Sequence, residues 1–124
     1  MEKDFEEFFV PHQFEEVSRQ YLIRKNRKGE MIPVFEKIGK YYYDDPVNHT
    51  NGEFDIVTED ENGYVFYEVK FRKNPLSERM IREEINQVKA TGMNCYRYVF
   101  ISRAGFAGSE TEQIKHIDLA ELFQ

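Results

Sequence analysis

Apolar residues recur at helical spacing in VPHQFEEVSRQYLIRK, where Val10, Phe14, Val17, Tyr21 and Leu22 fall on one stripe, the pattern of an amphipathic helix. Pro11 suits its first turn, and Gly29, after the basic break RKNRKGE, is its natural stop. PVFEKIGKYYYDD is rich in aromatic and β-branched residues and predicts a strand near Ile38 to Tyr43. DDPVNHTNG is a loop by composition. EFDIVTED and YVFYEVKFR then flank Asn62-Gly63, which predicts a hairpin closed by that dipeptide. Asn74-Pro75 reads as the N-cap and first-turn proline of a second helix that buries Ile81, Ile85 and Val88 and stops at Gly92. YRYVFIS predicts a further strand, SRAGFAGSE a loop, and KHIDLAELFQ a strand with a helical turn. The order α-β-β-β-α-β with a mixed tail implies an α/β fold, a mixed sheet flanked by helices, in one domain over residues 1–124.

The second hairpin strand breaks its own apolar pattern, since GYVFYEVKFR carries Glu68 and Lys70 on one face. With Asn62-Gly63 as a two-residue turn, Asp55 falls opposite Lys70; a four-residue turn sets it opposite Glu68 instead. Either register gathers Asp55, Glu68 and Lys70 on one face, because strand side chains alternate. Phe54, Ile56, Val65, Tyr67, Val69 and Phe71 make the opposite, core face, while Val57, Tyr64 and Phe66 share the charged one. Charges in such a partly apolar setting need partners or a bound ion. On the first helix, Glu15 lies about 100° from Phe14 and Glu16 about 200°, so Glu15 borders the packed stripe and Glu16 points to solvent. Two readings stand: a structural Asp–Lys–Glu network, or a metal site with a working lysine.

Composition narrows the choice little. The chain has 124 residues, eleven Phe and eight Tyr, which is enough for one real core. A lone Cys95 excludes an internal disulfide, and the absence of a membrane span or signal pattern leads us to expect a cytoplasmic protein. His12, His49 and His116 lack ligand spacing for zinc. The net charge of −6 is a poor fit to a dedicated nucleic-acid binder. The basic groups Arg24 to Lys28, Arg72, Lys73, Arg79 and Arg82 read as a solvated face or as phosphate contacts, and Ser102 and Arg103 sit on a loop that reaches either a core or a substrate.

Phosphodiester hydrolysis gives this residue set a coherent chemistry. Mg²⁺ (or Mn²⁺) takes carboxylate oxygens and keeps water in its other positions. Asp55 and Glu68 suit that role, with the backbone carbonyl of Val69 between Glu68 and Lys70 and with Glu15 for a second ion or its water. Lys70 suits orientation of the attacking water and stabilisation of charge on phosphate.

The pattern resembles the PD-(D/E)XK nuclease superfamily, the restriction-endonuclease-like fold, with Glu15 in FEEVSRQYL, Asp55 in GEFDIV and Glu68-Val69-Lys70 in FYEVKFR. More narrowly it resembles the C-terminal nuclease-like domain of certain prokaryotic AAA-type ATPases, through the further segments IGKYYYDD and ISRAGF. Phe54 stands where the motif has proline, and Tyr41 to Tyr43 where those domains tend to have tryptophans. The resemblance implies a Mg²⁺-dependent nuclease acting on DNA, with an ATPase domain or subunit as partner. No G-x-x-x-x-G-K-[ST] loop occurs, so the ATP-binding part would lie elsewhere. The competing expectation is a catalytically silent domain of the same fold that serves an ATPase as an interaction or regulatory module.

Overall fold

In the computed structural model, which describes residues 11–45 and 50–123, two helices cover opposite faces of one five-stranded sheet. Helix α1 (Pro11–Arg27) buries Phe14, Tyr21 and Leu22, as its periodicity predicts. Arg24, Lys25 and Arg27 fill its last turn, where cations face the negative end of the helix dipole. Val10 and His49 lie outside the described residues.

Strands β1 (Lys37–Asp45), β2 (Thr50–Asp60) and β3 (Gly63–Lys70) form an antiparallel meander. Helix α2 (Glu78–Ala90) then carries the chain across to β4 (Cys95–Ser102), which runs parallel to β3, and β5 (Ile114–Asp118) adds parallel to β4. A 3₁₀ turn, Leu119–Phe123, returns Leu122 to the α1 side. The spatial order is β1-β2-β3-β4-β5, the mixed α/β sheet expected from the sequence.

Both faces of the sheet are core. On the α1 side, Ile56, Val65, Tyr67, Val69, Val99 and Ile101 pack against Phe14, Tyr21 and Leu22. On the α2 side, Phe54, Val57, Phe66, Tyr98 and Phe100 pack against Ile81 and Val88. Helix α2 opens one turn later than Asn74-Pro75 suggests: Ser77 is the N-cap, its hydroxyl accepting from the Met80 N–H at 3.2 Å. Gly92, at φ 74°, follows its C-cap Thr91.

The hairpin differs from expectation by one residue. Asp60 pairs with Gly63, so Glu61-Asn62 form the two-residue turn and Val57 faces Phe66. The Asp60 carboxylate accepts from the Asn62 N–H at 2.8 Å and holds the turn in that place. Gly63 begins β3 at φ 134°, with Asn94 O only 2.6 Å from where a Cβ would stand.

A second irregularity matters more. Gly39 pairs with Val57 and Tyr41 with Phe54, so Lys40 alone on β1 faces two residues, Asp55 and Ile56, on β2. This β-bulge interrupts the alternation. Phe54 consequently joins the α2-side core with Val57 and Phe66, while Ile56 joins the α1-side core. The single core face expected for Phe54 and Ile56 together is corrected by this break.

Gly63→Ala should destabilise the protein by more than about 1 kcal/mol, since the position combines positive φ with a backbone clash. Gly39→Ala, which meets nothing within 4 Å, should be far milder. Urea midpoints of the two variants make the comparison.

Candidate functional site

Two lysines and five carboxylates lie between α1, the β1–β3 meander and α2 as two ion-paired clusters, with Asp55 within electrostatic reach of both. At one end, Lys70 Nζ lies 3.4 Å from Glu68 Oε1 and 3.3 Å from Glu84 Oε1. At the other, Lys40 Nζ lies 3.6 Å from Glu53 Oε1 and 3.9 Å from Glu15 Oε1. Asp55, in the bulge opposite Lys40, feels both lysines as well as Glu15 and Glu53.

Each expected residue has a definite place in this array. Glu15 is half-buried and lines, with His12, Lys40 and Asp55, a cleft of about 80 Å³ between α1 and the start of the meander. Glu16 is exposed and pairs along its own helix with Arg19 and Gln20. Glu68 and Lys70 stand at the C-terminal end of β3, where the chain leaves for the crossover. Val69 between them sends its side chain into the α1-side core and pairs with Ile101 of β4. Among the described residues, no three His, Cys, Asp or Glu side chains gather closely enough to hold a metal ion.

Electrostatics shows what the carboxylates lack. Burial raises the Asp55 carboxyl to about 6, with Glu15 and Glu53 adding to the rise and Lys40 and Lys70 opposing it. Burial likewise lifts Glu68 to about 8; Lys70 opposes, while Glu84 and Asp55 contribute. Glu15 is also raised, first by burial, against the pull of Lys40. Burial disfavours the Lys70 ammonium, but Glu68 and Glu84 outweigh that and raise its value, so it stays charged. Burial is the main reason these carboxylates hold their protons more tightly, and the two lysines offset it only in part. Carboxylate oxygens are hard donors, the type that Mg²⁺ or Mn²⁺ takes.

Glu84 is the member that strand reasoning does not reach. A signal for it exists, because it lies three residues after Ile81 and four before Val88, on the stripe that α2 turns toward the sheet. Ser102 is the other neighbour: it pairs in register with Lys70, is fully buried, and its hydroxyl has no protein partner. The loop after it is packed. Phe106 bridges to Leu76 and stacks on His116 at 3.9 Å between ring centroids, and the Arg103 guanidinium lies 4.5 Å over the Phe71 ring. Cys95 is a half-buried thiol that donates to the Arg97 carbonyl. Of the basic run, Arg24 donates to the Leu122 carbonyl at 3.3 Å and Lys25 lies over the Tyr21 ring.

The fold defines a mixed α/β domain with an acid–lysine centre at the end of its middle strand. The chain belongs to the DUF234 family of archaeal and bacterial proteins of unknown function, whose profile matches residues 1–90. In fold it resembles a crystal structure of a protein of unknown function, AF1548, with a TM-score of 0.52 and 13% identity over 84% of this chain. This chain spans 58% of that one. No curated protein matches the sequence. Among the described residues, no helix is long and apolar enough to cross a membrane.

The raised carboxyls set a pH dependence. Asp55 rises from 3.8 and Glu68 from 4.5, so the folded state holds more protons than the unfolded state between about pH 4 and 8. Their contribution to stability is fully present at the acid end and is lost as pH rises through about 6 and then 8. The decline in urea midpoint from pH 5 to 8 should flatten in Asp55→Asn and in Glu68→Gln relative to wild type.

Proposed function

We propose that the chain is a metal-dependent nuclease-fold domain that hydrolyses DNA phosphodiester bonds and works with an AAA-type ATPase. The observation that carries this reading is the pairing of Lys70 with Glu68, 3.4 Å apart at the open end of β3, beside an Asp55 whose carboxyl is raised to about 6. A structural salt bridge needs no second carboxylate nearby; a cation centre uses one.

In this reading Asp55, Glu68 and the Val69 carbonyl would hold Mg²⁺ or Mn²⁺, which would supply charge neutralisation at the scissile phosphate and activation of water. Lys70 orients the water and stabilises charge on the phosphate oxygens. Glu15, held by Lys40 at 3.9 Å, fixes water at the far side of Asp55. Burial of Glu68 makes metal uptake proton-coupled, because the ligand must lose its proton first. With a net charge of −6, the domain attracts DNA weakly, which is the reason to assign delivery of the substrate to an ATPase.

One observation favours the silent-module reading: both lysines of the array are already engaged by two carboxylates each. Metal binding and cleavage separate the two.

Mn²⁺ or Mg²⁺ should raise the melting temperature, equivalent to about 2.7 kcal/mol at 100 times Kd, and Asp55→Ala should remove most of the gain. Lys70→Ala should abolish DNA nicking while the metal-induced shift persists, since its role belongs to the transition state. A wild-type protein that shows no shift at millimolar metal, or a partner-supplemented one that binds metal and DNA without cleaving, establishes the silent module instead.

A further inference from the structure

Lys70 has two carboxylate partners on different elements, and only one of them belongs to the strand motif. Its Nζ lies 3.4 Å from Glu68 of β3 and 3.3 Å from Glu84 of α2. Glu84 sits on the packed stripe of its helix between Ile81 and Val88, where a charge is unusual unless it is paired. Beneath the two carboxylates the narrow space is lined mainly by rings and apolar chains, among them Phe54, Phe66, Ile85, Tyr98 and Phe100, and no other charged group lines it.

A divalent cation that takes Glu68 competes with Lys70 for the same oxygens and repels its ammonium. The lysine must then move off Glu68. Moving a half-buried ammonium away from a counter-charge is costly, but Glu84 already holds the other side of it. We propose that Glu84 is a positioning residue acting through Lys70: it takes over the ammonium from Glu68 when Mg²⁺ or Mn²⁺ occupies the Asp55–Glu68 side of the centre. The inference rests on the metal-dependent reading. It adds that the crossover helix, by keeping Lys70 beside the centre without blocking the metal ligand, is part of the centre.

The test is Mn²⁺ affinity, read by electron paramagnetic resonance of free Mn²⁺, in a double-mutant cycle of Glu84→Gln and Lys70→Met. In the wild-type background Glu84→Gln should weaken Mn²⁺ binding by about tenfold, because Lys70 then closes on Glu68. In the Lys70→Met background the same change should have no effect. Glu84→Asp, which keeps the charge but withdraws it by one methylene, should give a smaller weakening with the same dependence on Lys70, and serves should Glu84→Gln fail to fold. An equal loss in both backgrounds would mean that Glu84 acts through space on the ion, and no loss in the wild-type background would mean that it is structural; either overturns the proposal alone. A wild-type protein that binds no Mn²⁺ overturns both this proposal and the metal-dependent reading.

Discussion

Strand β3 is paired along both edges and covered on both faces, by α1 on one side and α2 on the other. Under that constraint a charge on the strand survives only at its end and only with partners brought by other elements. Glu68 and Lys70 occupy that end, and the remainder of the centre follows from supplying them. Glu84 comes from the helix that covers one face, and Asp55 from the neighbouring strand. The meander edge adds Lys40, with Glu15 and Glu53 gathered around it.

The switch from antiparallel to parallel pairing at β3 matters for the same reason. A meander strand would turn directly into its neighbour at this end, whereas a parallel partner requires the chain to leave through a crossover. The end of β3 is therefore free of a hairpin, and the carboxylates and lysine there stay partly open while the strand behind them is buried. Ser102, in register with Lys70 on the parallel partner, places a buried hydroxyl at the same end of the sheet.

Much of this was legible in the sequence because it rests on local patterns. Helical spacing located both helices and their inward stripes, and the alternation in YVFYEVKF located β3 with its two charges. The turn shifted by one residue because the Asp60 side chain and the close approach of Asn94 to Gly63 outweigh the preference of Asn-Gly for the turn centre. The N-cap moved to Ser77 for a similar reason: its hydroxyl, not Asn74, meets a free helix N–H. The bulge was hidden because no dipeptide marks it; it follows from which core Phe54 joins. Glu84 lies outside any strand pattern because α2 supplies it, although its place on an apolar helical stripe is visible in the sequence.

The aromatic cluster of the α2-side core has a consequence for where Asp55 stands. Without the bulge, unbroken pairing from Gly39 with Val57 would set Phe54 opposite Tyr42 and turn its ring toward α1. With the bulge it pairs with Tyr41, and its ring stacks on Tyr43 at 5.3 Å and meets Phe66 edge to face at 4.9 Å. Three aromatic residues thus choose the register of an edge strand, and that choice carries the extra residue that displaces a carboxylate toward Lys40. The acid–lysine centre is held in shape by ring packing in the core beneath α2, so its geometry belongs to the hydrophobic core as much as to its own charges.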